Sequence, residues 1–231
     1  SRLTNSRPME RDRGQKIFQC GKWGICAVSG NLILTASTTD DATGRSSTHD
    51  LDLTTVLADT TAGIQETKAE DQARHLAQEL HVELAKFWNR VFVGKRLASP
   101  MNQERSIEEN SVCTILFAKR DSAGVFLYQI RFPFEERPST QGGWANYLRE
   151  PQLTRINHEL GSHAGAQGVI DCSPAVKALY PIQSRTALLR AINDTFRIVT
   201  RAGGQCSESV GGPVDIAAVD QFGFRWLQRK Q

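Results

Sequence analysis

The sequence has little of what would mark several common protein classes. No run of about 18 apolar residues occurs, so nothing reads as a membrane-spanning helix. No C-x-x-C pair occurs, and the five cysteines, Cys20, Cys26, Cys113, Cys172 and Cys206, are odd in number. That argues against a disulfide framework or a cysteine zinc site, and reads as reduced thiols in a cytoplasmic protein. Net charge of one sign is nearly absent: 28 basic against 25 acidic side chains leave a formal +3. No basic stretch is interleaved with aromatics, so a nucleic-acid partner is not expected. The motifs G-x-x-x-x-G-K-[ST] and G-x-G-x-x-G are missing, so no nucleotide phosphate cradle is indicated. Ser1 to Gln15 is polar and Arg-rich without an apolar core, and does not read as a secretory signal.

What is present suits one domain spanning 1–231. Apolar residues make up 39%, enough for a sizeable core. Lys16 to Cys20 and Trp23 to Gly30 read as two strands around a turn at Gly21. Thr38 to Asp50 is rich in Thr, Ser and Asp and reads as a loop or loose insertion; Leu51 to Ala58 reads as a short helix. Thr67 and Glu70 fit a capping box opening a long helix. Ala69, Ala73, Leu76, Ala77, Leu80, Leu84, Phe87, Trp88 and Val91 then recur at spacings of three and four, one apolar stripe closed by Gly94 and Pro100.

Val112 to Ala118 and Val125 to Phe132 read as strands joined by a turn at Asp121-Ser-Ala-Gly124. Pro133 to Pro151 has no clear period. A further helix is expected after Ser184, with Leu188, Ile192, Phe196 and Val199 on one face and Gly203-Gly204 at its end. Val214 to Val219 and Phe224 to Leu227 read as a closing strand pair. Strands arriving in adjacent pairs favour antiparallel sheets with helices outside, over a parallel βαβ array.

The histidines form no H-x-x-x-H or H-E-x-x-H motif. His75 and Glu79 stand one turn apart, a spacing that can ligate a metal but more often marks a solvated helix pair. His158 and His163 read as part of a polar loop. No metal or other cofactor is expected.

Three segments in order carry a resemblance. Ser1-Arg2-Leu3-Thr4 is followed by Lys16-Ile17, fourteen residues after Arg2. Gly24-Ile-Cys-Ala-Val-Ser-Gly30 comes next, and Gly211-Gly-Pro-Val-Asp-Ile216 with Phe222-Gly-Phe closes the chain. Their types, spacing and order resemble the proteasome β-subunit family of N-terminal nucleophile hydrolases. That resemblance implies an α+β fold, a four-layer αββα sandwich with two antiparallel sheets between helices. It also implies a self-compartmentalised ring of like subunits, in the cytoplasm, acting on peptides or unfolded proteins.

The implied nucleophile is a threonine hydroxyl at a mature N-terminus, with its own α-amine, of pKa near 8, as general base. It would lie about seventeen residues before Ser1, outside this sequence, which leaves open a piece of a longer chain, a strand missing from view, a truncated inactive subunit, or Ser1 itself as nucleophile. Lys16 matches the family's lysine by position, and an ammonium there would favour the developing alkoxide. Arg2 matches the strand-end arginine, and Gly30 the glycine of the second segment. Three supporting positions depart from the family. Gln167, in Gly165-Ala-Gln-Gly168, stands where a serine is usual. Ser207 replaces an aspartate and Val210 a serine, with Glu208 or Ser209 as substitutes after a small shift. The departures leave three readings: an active threonine-type peptidase subunit, a silent structural ring member of the same fold, or an unrelated ligand-binding domain.

Overall fold

Gly21 sits at φ +64°, in the left-handed region glycine tolerates, and lets the chain reverse between two strands. These are β1 (Ile17–Gln19) and β2 (Gly24–Gly30), paired antiparallel with Ile17 opposite Ala27. The computed structural model describes residues 16–30, 33–39, 46–63, 68–92, 111–138, 143–156, 215–220 and 222–229. The chain divides into two compact units, Ser1–Ile156 with Val219–Phe224, and Asn157–Ala218 with Arg225–Gln231.

In the first unit β2 also pairs with β5 (Ser111–Asp121), Gly24 opposite Lys119 and Gly30 opposite Cys113. The two-residue turn Ser122-Ala123 then leads into β6 (Gly124–Pro138), antiparallel to β5. β6 is 15 residues long and serves two neighbours on its other edge. Residues 134–138 pair with β7 (Trp144–Leu148), and residues 127–131 pair with β8 (Gln152–Ile156). The strand order is therefore β1-β2-β5-β6-β7, with β8 also on β6, antiparallel throughout.

The segment expected to be a polar loop is a hairpin instead. β3 (Ile33–Thr39) and β4 (Ser46–Asp52) pair from Ile33–Asp52 to Thr39–Ser46. Ser47, Thr48 and Asp50 are exposed, so their strand carries no apolar alternation to read. Asp52 ends β4 and caps α1 (Leu53–Ala62): its carboxylate accepts from the Thr54 amide at 2.8 Å. Leu53, Leu57 and Thr61 form the buried face of α1.

The long helix α2 runs over Ala69–Val91, and every member of the stripe predicted from its spacing is buried. It packs against β4, β5, β6 and β7. The expected capping box is not how this helix starts. Lys68 occupies the N-cap position without a side-chain hydrogen bond, and Thr67 lies outside the described residues. The carboxylate comes from elsewhere: the Ala69 amide donates to Asp121 Oδ2 at 3.3 Å, across 52 residues of sequence. The same Asp121 accepts from the Ala123 amide at 2.8 Å through Oδ1. Phe117, Ile115, Ile130 and Phe132 supply the sheet's side of the core. Burying each such side chain stabilises the fold by about 1.5–3 kcal/mol.

At the far end of α2 lies a buried polar chain. Trp88 Nε1 donates to Asn146 Oδ1 at 3.1 Å, and Asn146 Nδ2 donates to Glu136 Oε1 at 3.2 Å. Trp88 is 2% exposed, Asn146 4% and Glu136 8%. The Trp88 ring also tilts against Phe92 and Phe134, with centroids 4.6 and 5.4 Å away.

β9 (Ile216–Asp220) and β10 (Gly223–Gln228) form a two-stranded ribbon, as the closing strand pair predicted. Its tip belongs to the first unit, where the Phe224 amide donates to Lys22 O at 2.8 Å. The helix expected after Ser184 lies outside the described residues. The architecture is thus mixed α and β, mostly antiparallel sheet, with two helices among the described residues. No described helix is long and apolar enough to cross a membrane.

Candidate functional site

Of the six residues singled out in the sequence, Lys16 and Gly30 are described; Arg2, Gln167, Ser207 and Ser209 lie outside the described residues. The hairpin brings the two together. Lys16 immediately precedes β1, and its carbonyl accepts from the Val28 amide at 2.9 Å. Gly30 stands two residues further along β2, so both lie at one end of the sheet. The Lys16 side chain is exposed.

Cys20 and Cys113, near this hairpin, are not activated nucleophiles. Cys20 and Cys26 are both buried, and Cys20 is flanked by the turn. A hydrogen bond with the Cys26 thiol, then burial, push the Cys20 thiol far above its usual value. Burial pushes Cys113 up to about 12. Nucleophilic cysteines need the opposite shift, toward thiolate. Among the described residues no three His, Cys, Asp or Glu side chains lie together in a way that would hold a metal ion.

The opposite end of the sheet holds a cleft of about 740 Å³, which none of the motifs foretold. It opens where the first turn of α2 meets the β5–β6 turn. β2 spans the six steps from Gly24 to Gly30. Val28, beside Lys16, is four of those steps from Gly24, so at about 3.3 Å per residue the cleft is roughly 13 Å from Lys16 along the strand. Four cationic side chains line it: Lys68, Lys119, Arg120 and Arg155. Two carboxylates do so, Glu70 and Asp121, along with the rings of Trp23, Phe126 and Tyr128.

The sheet's pleat explains this grouping. Lys119 follows Ile115 and Phe117 on the buried face of β5, and is itself 3% exposed. In register, Lys119 stands opposite Phe126 and Tyr128 opposite Arg155. The Arg155 guanidinium lies over the Phe126 ring at 4.7 Å. Burial first, with the Glu70 and Asp121 charges adding to it, raises the Tyr128 phenol above its usual value. Its hydroxyl therefore remains a hydrogen-bond donor at neutral pH. No single residue here belongs to a recognisable motif; the site exists only through strand register. Compared with family models and with curated proteins, the chain matches none.

Proposed function

We propose that this chain is a proteasome-type β subunit, a threonine-type peptidase that hydrolyses peptide bonds inside a ring of like subunits. In this reading the antiparallel sheet described above is one of two in a four-layer αββα sandwich. In the family's mechanism an N-terminal threonine attacks the scissile carbonyl while its α-amine takes the hydroxyl proton and returns it to the departing amine as the C–N bond breaks; here the Lys16 ammonium would stabilise the alkoxide. The observation that carries the reading is the β1–β2 register, because it sets Lys16 and Gly30 at one end of a shared hairpin. The order of the resembling segments along the chain supports it.

A second reading, a silent ring member of the same fold, is favoured by a specific observation. The Lys16 side chain is exposed, and Gln167, Ser207 and Val210 depart from the family's polar groups. A catalytic ammonium gains most from a site that water does not screen.

The test uses the full-length protein, sized by gel filtration and assayed on fluorogenic peptides. Ring assembly, with hydrolysis that Lys16→Ala abolishes while the circular dichroism spectrum holds, supports the first reading. Ring assembly without hydrolysis supports the second. A stable monomer, or full hydrolysis in the Lys16→Ala variant, overturns the peptidase assignment.

A further inference from the structure

We propose that the cleft between the start of α2 and the β5–β6 turn binds a small molecule that joins a planar ring to an anionic group. This inference is independent of the peptidase reading, since the cleft lies at the other end of the sheet.

The charge distribution sets the ligand's sign. Among the described residues, Lys68, Lys119, Arg120 and Arg155 face two carboxylates, an excess of two positive charges. Both carboxylates are also engaged locally. Glu70 Oε1 holds Arg74 through Nη2 at 2.6 Å, and Asp121 holds the Ala69 and Ala123 amides. Their capacity to neutralise the cleft is correspondingly reduced. Lys119 contributes a buried ammonium, whose charge water screens little. An arriving anion would meet charge-assisted hydrogen bonds in a partly desolvated site, where they are strongest.

The rings set the ligand's shape. Phe126 and Tyr128 alternate along one face of β6, and Arg155 already stacks on Phe126. A planar ring can add to that stack, with the guanidinium on one side of it and aromatic carbon beside it. Tyr128 offers its hydroxyl to a polar edge. A cleft of about 740 Å³ lies within the usual range for a small-molecule site.

Isothermal titration of the full chain tests this with four probes: adenosine monophosphate, 1-naphthoate, adenosine and inorganic phosphate. Adenosine monophosphate or 1-naphthoate should bind at least about tenfold more tightly than both adenosine and phosphate. Arg155→Ala and Lys68→Ala, both at exposed positions, should each weaken that binding about tenfold with the circular dichroism spectrum unchanged. Lys119→Met, checked for folding the same way, should do so as well. Lys86→Ala is the control: it lies 17 residues along α2 from Ala69, about 25 Å away, and should leave binding unchanged. No binding by any probe below about 1 mM overturns the proposal. So does adenosine or phosphate binding as well as the joined probes, or Arg155→Ala and Lys68→Ala variants that bind like the parent.

Discussion

Replacing Asn146 with leucine should cost more than its size suggests, because it cuts a buried polar chain in the middle. Asn146 accepts from Trp88 and donates to Glu136, and all three side chains are buried. Leucine keeps the number and branching of side-chain heavy atoms while removing both polar ones, so no cavity opens and the lost hydrogen bonds dominate the effect. The Trp88 N–H would lose its acceptor in a site with little water, at about 1–3 kcal/mol. The Glu136 carboxylate would lose one donor, and bonds to charged groups contribute about 1.5–3 kcal/mol. Glu136 keeps other contacts, so the total expected is about 2–5 kcal/mol. Against the stability of an ordinary domain, about 5–15 kcal/mol, that is a large fraction. Urea unfolding followed by far-ultraviolet circular dichroism measures it. The decisive comparison is the double variant Trp88→Phe with Asn146→Leu. Phenylalanine has no N–H to strand, so the double variant should be more stable than the sum of the singles predicts, by about 1–2 kcal/mol. Additivity within about 0.5 kcal/mol, or an Asn146→Leu cost below that, would refute the reasoning.

Other consequences can be checked with the same unfolding assay. Asp121→Ala removes the acceptor shared by the Ala69 and Ala123 amides and should cost about 1–2 kcal/mol, while Asp121→Asn should recover part of it. Gly223→Ala should destabilise by more than 1 kcal/mol or so: φ there is +99°, and a Cβ would approach Lys22 O to 2.8 Å. Cys113 gives an alkaline signature. The unfolded thiol ionises near 9 and the buried one only at about 12, so unfolding releases a proton in that window. Stability should therefore be full below about pH 9 and fall as pH rises toward 12, and Cys113→Ala should flatten the fall, measured as urea midpoints at successive pH values.

The parts of the fold that were legible in the sequence are those where one face alone is apolar. α2 announced itself because Leu76, Leu80, Leu84 and Trp88 recur at the helical period and all face the sheet. The β5–β6 hairpin was legible for a similar reason, with Asp121 and Gly124 marking its turn. The β3–β4 hairpin was not, since its described polar side chains face water and backbone pairing holds the ladder together. Pro133 hid the second half of β6, because proline usually ends a strand. Here it falls at the irregularity between Ser111 and Thr114 of β5 and between the β8 and β7 ladders, where its missing N–H matters least. Its carbonyl still accepts from the Arg149 amide at 2.9 Å. The helix cap was missed because its acceptor, Asp121, is remote in sequence. The basic cleft escaped for that reason too: Lys68, Lys119 and Arg155 become neighbours only through the register of three different elements.

The double duty of β6 also orders how the sheet can come apart. β7 and β8 occupy separate stretches of one edge, so either can peel away while β6 stays paired with β5 on the other. Releasing β6 itself means breaking three ladders together and exposing Ile130, Phe132 and Phe134 at once. Its amides between Leu127 and Arg131 that point toward β5 should therefore trade their hydrogens for deuterium only through whole-domain opening, at a rate that reports the global free energy, while those that point toward β8 exchange when β8 peels away. The three-residue β1, at the end of the strand order, should exchange by fraying, orders of magnitude sooner.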